Sequence, residues 1–151
     1  MKSIAMTGLL VVSMAISAGE VSYPEGYRHW NHVKSMVILE GHPLADPFQG
    51  IHHVYANGKA LEGLKNGAFP KGSVLVFDLL KEVQGEHAIT EGERKFIGVM
   101  QRDPERFRET GGWGFEAFAG NTRERMVKDG GKSCYGCHVQ EKDRVFSQWR
   151  D

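Results

Sequence analysis

The sequence predicts a mainly β domain of the α+β class: an antiparallel β-sheet with short peripheral helices and a cysteine–histidine motif near the C-terminus. Three observations lead to this prediction. Five apolar segments typical of strands follow one another along the chain, separated by turn residues. Few long helical segments interrupt them, which favours antiparallel neighbours over parallel βαβ units. The 19 glycines are many for a helical bundle, because glycine destabilises helix interiors and suits turns between strands.

The composition is that of one globular domain. The chain has 151 residues, of which 40% are apolar and 25% charged. Its 19 Lys and Arg residues balance 19 Asp and Glu residues, so neither nucleic acid nor an anionic membrane is an expected partner. Two cysteines exclude a scaffold built on several disulfides. We expect a single domain over residues 22–151, without internal repeats or linkers.

The first 18 residues have the features of an export signal. Lys2 supplies a positive start, residues 4–16 are largely apolar, and Ser17 and Ala18 are small, as a cleavage site requires. The apolar run is short for a bilayer span, although an uncleaved N-terminal anchor is the alternative. Later apolar stretches are all interrupted by charge. We therefore expect residues 1–18 to be a signal peptide and the cleaved chain to be periplasmic, with no membrane contact.

The remaining elements follow from hydrophobic pattern and turn residues. After a loop at 22–27, the segments predicted as strands are 33–40, 51–55, 73–80, 93–101 and 113–118. Segment 73–80 is apolar on both faces, which indicates burial on both sides of the sheet. Segment 41–50, with two prolines, is predicted as a loop. Helices are predicted at 59–66, from the Asp103-Pro104 start to Gly111, and from residue 132.

The motif with the clearest chemistry is Cys134-Tyr135-Gly136-Cys137-His138, the attachment pattern of a c-type haem. Two thiols three residues apart on a helical turn reach the two vinyl groups at one porphyrin edge, and the following histidine then faces the iron. Export supports this interpretation, because c-type attachment takes place outside the cytoplasm. Both cysteines of the chain lie in the motif. The sequence therefore predicts one covalent haem c, held by Cys134 and Cys137, with His138 as the iron ligand.

Three other interpretations of the cysteines remain open. A thioredoxin-like dithiol would follow a strand in a parallel βαβ unit, which the pattern here does not provide. A zinc site needs a fourth ligand, which a remote histidine could supply. A disulfide between residues three apart would be strained.

A second axial ligand would make the iron low-spin and suit electron transfer. No methionine follows His138, and Met100 lies in a predicted buried strand, where core packing is the default. His52 and His53 are adjacent on a predicted strand, so one of them points inward. The other histidines lie in loops or at boundaries and are expected to be solvated: His29, His32, His42 and His87. An iron bound by His138 alone is the other possibility.

Several landmarks, taken in order along residues 23–149, resemble the cytochrome P-460 family and its relatives called cytochromes c′-beta. They are Tyr27-Arg28-His29-Trp30, Pro47-Phe48, 51–55, 72–76, 96–99, 112–115, the haem motif and Val145-Phe146. The resemblance implies a mostly antiparallel β fold, a five-coordinate haem c and a homodimer.

Two activities follow from this resemblance. The true cytochromes P-460 oxidise hydroxylamine and carry a lysine cross-linked to the porphyrin, but the matching position here is Phe77. Lys71 and Lys81 lie outside the matching register, and segment 96–100 has no clear counterpart of the family's distal carboxylate. The c′-beta branch lacks the lysine and caps the distal face with phenylalanines, which Phe48 and Phe77 match.

The resemblance thus implies a gas-binding haem protein. An apolar distal wall offers no hydrogen bond to dioxygen and favours neutral gases, here nitric oxide or carbon monoxide. The alternatives are a hydroxylamine or nitric oxide oxidoreductase, and a low-spin electron carrier. A small redox protein is a further expected partner.

Overall fold

The computed structural model describes residues 20–150, so the expected signal peptide at 1–18 lies outside the described residues. A five-stranded antiparallel sheet forms the centre of the domain, with strands in chain order. They are β1 (Asn31–Ile38), β2 (Gly50–Ala56), β3 (Val74–Gln84), β4 (Ile89–Arg102) and β5 (Trp113–Ala119). The helices are α1 (Ala45–Phe48), α2 (Gly58–Asn66) and α3 (Lys132–His138), with 3₁₀ turns at Tyr27–His29, Arg108–Thr110 and Lys142–Arg144. The predicted mainly β, antiparallel fold is confirmed.

All five predicted strands are present, and the largest difference is the length of β3 and β4. They extend as a hairpin beyond residues 80 and 93, the limits that the apolar pattern predicts. This extension is mostly polar and exposed, with Val83 and Ile89 as its apolar residues, and Lys81 pairs across it with Glu93 at 2.8 Å. Backbone pairing alone extends a solvated hairpin, so apolar periodicity gives no sign of it.

The prediction for α2 is confirmed and that for the segment after β4 is wrong. Helix α2 begins after Asn57, whose side chain accepts from the amide of Ala60 at 2.9 Å, and it ends at Gly67 with φ 77°. Asp103 caps only a turn, because Gly111 and Gly112 at φ 65° and 83° lead the chain directly into β5. The predicted loop 41–50 contains the single turn α1.

Side chains on the two faces of the sheet form two separate clusters. The face that we call the N-terminal face is covered by the N-terminal segment and includes Val21, Tyr27, Val76, Ile97, Val99, Phe107 and Phe118. The opposite face, called the motif face, packs Leu75, Phe77, Met100 and Phe115 with Cys134 and Tyr135 of α3. The cysteine–histidine motif therefore meets one defined face of the sheet.

None of the helices between residues 20 and 150 is long and apolar enough to cross a membrane.

Candidate functional site

Helix α3 is held against β5 by its first residues. The carboxylate of Asp129 accepts from the amides of Gly131 at 2.9 Å and Ser133 at 2.8 Å, which satisfies the exposed donors at the start of the helix. Gly131 has φ 85°, and a Cβ there would lie 2.9 Å from Cβ of Phe115. A glycine at this position is what allows the motif helix to approach the sheet so closely.

The two cysteines of the motif face different surroundings. Cys134 is half-buried in the cluster on the motif face, whereas Cys137 is exposed, and both are free thiols. Burial raises the pKa of the Cys134 thiol, which favours its protonated form. Cys137 is therefore accessible to solvent, whereas Cys134 is packed against the sheet.

His138 is already oriented as a metal ligand. Its Nδ1 donates to the carbonyl oxygen of Arg144 at 2.7 Å, and its ring lies between Phe115 and Phe146, at centroid distances of 5.0 and 4.8 Å. Burial lowers the pKa of His138, which favours the neutral ring. A neutral histidine protonated on Nδ1 keeps a free lone pair on Nε2, the tautomer that binds iron.

The other interpretations of the motif gain no support from these surroundings. Between residues 20 and 150, no group of three or more His, Cys, Asp or Glu side chains could hold a metal ion together, which leaves a zinc site without its ligands. The sheet contains only antiparallel pairs and the motif follows its last strand, unlike the βαβ unit of a dithiol oxidoreductase. Neither cysteine forms a disulfide.

A row of half-buried residues crosses the motif face at the centre of the sheet, and we call this row the trough. Phe77, Gly98 and Ala117 are directly paired across β3, β4 and β5 and are only half-buried. On the opposite face of the same strands, Val76 and Ile97 are 0% and 1% exposed. An antiparallel sheet can leave one face open to solvent or to a bound group. The trough therefore suits a flat apolar group lying across the sheet, and the donor set of α3 suits a haem.

Three phenylalanines and a histidine meet at one end of this trough. Phe48 from α1 lies 5.8 Å from Phe77 and 6.0 Å from Phe96 between ring centroids, and Phe77 lies 6.0 Å from Phe96. We call these three rings the phenylalanine cluster. His52 stacks on Phe77 at 4.4 Å. The sequence-predicted pair Phe48 and Phe77 is thus in contact.

The adjacent histidines point in opposite directions, as the strand alternation predicts. His52 is 5% exposed on the motif face and its buried Nδ1 has no hydrogen-bond partner in the described residues. Burial lowers the pKa of His52 to about 4, so its ring is neutral at physiological pH. His53 points to the other face and bonds Ser35 and Glu91. Met100 is half-buried on the motif face. The remaining histidines are exposed: His29, His32, His42 and His87.

Sequence reasoning missed three contributors to this site. Phe96 completes the phenylalanine cluster, but a single phenylalanine in a buried strand carries no signal of its own. Arg144 orients His138 through a backbone carbonyl, which any residue type provides. Lys95 Nζ donates to the carbonyls of Pro47 and Gln49, each at 2.8 Å, and so holds the turn that carries Phe48.

One known protein family matches most of the chain. The model of the family described as Cytochrome P460 matches residues 24–147, which include the sheet, the phenylalanine cluster and the motif helix. No curated protein matches the chain closely enough to count as a relative. Since the family match covers most of the chain, the chain belongs to the cytochrome P-460 family of haem proteins.

Proposed function

We propose that the protein is a periplasmic c-type cytochrome of the c′-beta branch that binds nitric oxide or carbon monoxide at a five-coordinate, high-spin haem iron. Cys134 and Cys137 hold the single haem c, His138 ligates the iron, and Phe48 and Phe77 line the distal side. The observation that carries the proposal is the phenylalanine cluster on the face that meets the motif.

The iron supplies the coordination position at which a gas binds, and the protein determines which ligands reach it. Phe48, Phe77 and Phe96 exclude water and offer no hydrogen bond, which disfavours anions and polarised dioxygen. Phe77 also stands where a cross-linking lysine would be required for the cytochrome P-460 type of oxidation. His138, fixed by the Arg144 carbonyl, provides a neutral ligand of defined orientation.

The first experiment is the optical spectrum of the ferrous protein, produced with a c-type maturation system. We expect a broad high-spin Soret band that shifts when carbon monoxide is added. A sharp low-spin spectrum that carbon monoxide does not change would contradict the proposal, because it requires a sixth protein ligand.

The distal assignment is tested by Phe77→Ala. Removing this ring opens the cluster, so we expect faster carbon monoxide association and a ferric spectrum that shows bound water. The matched control is Phe69→Ala, a half-buried phenylalanine that packs on Trp113 at 5.3 Å outside the cluster. Unchanged association rates and an unchanged ferric spectrum in Phe77→Ala would show that Phe77 does not line the pocket.

A low-spin electron carrier is the second candidate function, and His52 is the observation in its favour. Its ring is buried beside Phe77, and one ring nitrogen has no hydrogen-bond partner among residues 20–150, so it is a candidate sixth ligand together with Met100. If the spectrum is low-spin, His52→Ala or Met100→Ala should convert it to high-spin. A small redox protein would then be the physiological partner.

Oxidation of hydroxylamine or nitric oxide remains an alternative that one digest tests. Lys71 and Lys81 are exposed and pair with Glu105 and Glu93, at 2.5 and 2.8 Å, so neither is directed to the trough. We expect a tryptic haem peptide formed by one chain segment, residues 133–142, which contains the motif. A haem peptide joined to a third side chain would favour the oxidoreductase.

The proposal also includes export of the protein to the periplasm and cleavage of its signal peptide. Cell fractionation should recover the protein from the periplasm, with the mass of a chain cleaved near Ala18. Retention in the membrane fraction would favour the uncleaved anchor.

A further inference from the structure

A second cavity lies away from the trough, beside the segment that holds His138. It has a volume of about 340 Å³ and lies between the C-terminal end of α2, the start of β5 and residues 143–144. Phe69 and Trp113 form its apolar wall and Arg102 and Arg144 its polar wall. The phenylalanine cluster contributes no side chain to this cavity.

Two guanidinium groups converge at this cavity around Gly111. Arg102 Nη1 donates to the Gly111 carbonyl at 2.8 Å, and the group lies 5.6 Å from the Trp113 ring. Arg144 Nε lies 3.3 Å from the position that a Cβ on Gly111 would take. This Nε is buried and has no hydrogen-bond partner in the described residues. A buried donor without a partner is costly and marks a place where a missing acceptor fits.

The charges around the cavity are predominantly positive. Within residues 20–150, the arginines paired with carboxylates are Arg28, Arg94, Arg123 and Arg125, whereas Arg102 and Arg144 have no such partner. Lys142 Nζ lies at the rim, 3.6 Å from the position of a Cβ on Gly67. Asp143 is the single acidic residue of the lining and is exposed. Like charges held together beside aromatic walls favour a bound anion.

The backbone that carries Arg144 adopts an unfavourable conformation. Asp143 and Arg144 have φ values of 53° and 66°, in the left-handed region that non-glycine residues rarely adopt. This conformation directs the Arg144 carbonyl to His138 Nδ1 while its side chain lines the cavity. One residue therefore contacts both the motif histidine and the cavity.

We propose that this cavity binds a small oxyanion, held by the guanidinium groups of Arg102 and Arg144, and that its occupancy is transmitted to His138 through the Arg144 backbone. Guanidinium groups present paired donors that match the oxygens of nitrate, phosphate or a carboxylate. The volume accommodates one such anion with a few water molecules. The binding step is independent of the proposed gas binding, whereas the coupling step rests on His138 ligating the iron.

Binding is tested by isothermal titration calorimetry of the haem-loaded protein, in a low-salt zwitterionic buffer, with sodium nitrate and with inorganic phosphate. We expect one saturable site with a Kd below about 1 mM for at least one of them. Preference for nitrate would indicate a planar anion and preference for phosphate a tetrahedral one. The absence of saturable binding of either anion up to about 50 mM would overturn the proposal.

Variants separate the cavity from general surface charge. Arg144→Gln and Arg102→Gln should each weaken binding at least about tenfold, because each removes one charge-assisted donor pair. The matched control is Arg108→Gln, which removes an exposed arginine outside the lining and should leave the Kd unchanged. Equal weakening by all three variants would mean non-specific attraction and would overturn the site. Arg102→Gln alone decides the question if Arg144→Gln does not fold.

Coupling is tested by resonance Raman spectroscopy of the ferrous protein. Saturating anion should shift the iron–histidine stretching band, and Arg144→Gln should abolish that shift. If the variants weaken anion binding but saturating anion does not shift the iron–histidine band, the anion site is retained and the coupling is overturned. The absence of any iron–histidine band would mean that the ferrous iron is six-coordinate or that His138 is not its ligand, and either result contradicts the proposed five-coordinate iron while the calorimetric result still stands.

Discussion

At the residue scale, the most constrained side chain of the sheet is Asp78, which is fully buried behind the phenylalanine cluster. Its carboxylate accepts from Tyr27 Oη at 2.8 Å, from Arg94 Nε at 2.5 Å and from Arg28 Nη1 at 3.3 Å. Burial and the adjacent carboxylate raise the pKa of Tyr27 well above its ordinary value, so its hydroxyl remains a donor. The network ties the N-terminal segment to the centre of β3, next to Phe77.

Asp78→Asn should destabilise the protein strongly. It leaves the Arg94 side chain, only 14% exposed, without its counter-charge. Breaking a buried pair in this way costs about 3–5 kcal/mol, measurable by urea unfolding. Glu25→Gln breaks the exposed pair with Arg123 and should cost at most about 1 kcal/mol. Similar losses in the two variants would mean that the Asp78 network contributes little to stability.

His52 should make stability fall in mild acid. Its pKa is about 4 in the folded protein, because burial disfavours the charged ring, against about 6.5 in the unfolded chain. Between these values the unfolded chain binds more protons, so stability decreases as the pH falls from about 6.5 towards 4. Between pH 7 and 4.5 the His52 contribution is about 2 kcal/mol.

Urea unfolding of His52→Leu at both pH values checks this contribution. The variant should lose less stability on acidification than the parent protein. The control is His87→Gln, which replaces a histidine whose side chain is 90% exposed. This variant should show the same pH dependence of stability as the parent protein. A His52→Leu variant with the parent's pH dependence would contradict the assigned burial.

At the element scale, the position of Phe48 depends on the single turn α1. A helix of one turn has little stability of its own. Lys95 Nζ holds both sides of Phe48 through the carbonyls of Pro47 and Gln49. The phenylalanine cluster is thus closed by an element anchored from β4, a relation that local sequence does not contain.

Lys95→Met should loosen this turn without unfolding the sheet. We expect carbon monoxide association to accelerate several-fold, less than in Phe77→Ala, because Phe48 moves but is not removed. Flash photolysis of the carbon monoxide complex measures the rate. Lys81→Met, which removes an exposed lysine of the β3–β4 hairpin, is the matched control and should not change it. Equal rates in Lys95→Met and the parent would show that α1 is positioned by other contacts.

The differences between predicted and observed elements have local causes. The hairpin extension of β3 and β4 is mostly polar, so hydrophobic periodicity stops before the backbone pairing does. After Asp103, a favourable helix start is followed within one loop by two glycines with positive φ, and the chain must return to pair with β4. Strand pairing therefore determined that the segment after Asp103 forms a turn, although its local capping signals favour a helix.

At the scale of the whole molecule, the two edges of the sheet differ. The outer edge of β5 is paired at its C-terminal end, where the amide of Ala119 donates to Glu124 and the amide of Met126 donates to Ala117. No described segment pairs with the outer edge of β1, along which Met36 and Val37 are 37% and 41% exposed. An uncovered strand edge with apolar side chains favours association with another chain. We expect the homodimer that the family resemblance implies to use this edge.

Val37→Lys should therefore shift the protein from dimer to monomer in light scattering. A charge on an edge strand opposes pairing between copies. Val83→Lys places the same charge on the β3–β4 hairpin, at a valine 49% exposed, and should leave the mass unchanged. A dimer that survives Val37→Lys would locate the interface elsewhere.

The sequence by itself determined the features that depend on neighbouring residues. Five apolar segments specify the strands, and alternation requires His52 and His53 to point apart. The spacing of Cys134, Cys137 and His138 predicts a haem attachment motif. The family resemblance also predicts that Phe77 occupies the position of the cross-linking lysine. Each of these features is encoded by residues that are close together in the chain.

Only the tertiary structure decided which distant residues meet. Strand register brings Phe77, Gly98 and Ala117 into one row and adds Phe96 to the cluster. The fold of the C-terminal segment brings the Arg144 carbonyl to His138 and its side chain to Arg102. Such contacts arise from the pairing of segments far apart in the chain, and a backbone carbonyl or an unpaired guanidinium leaves no pattern in the sequence.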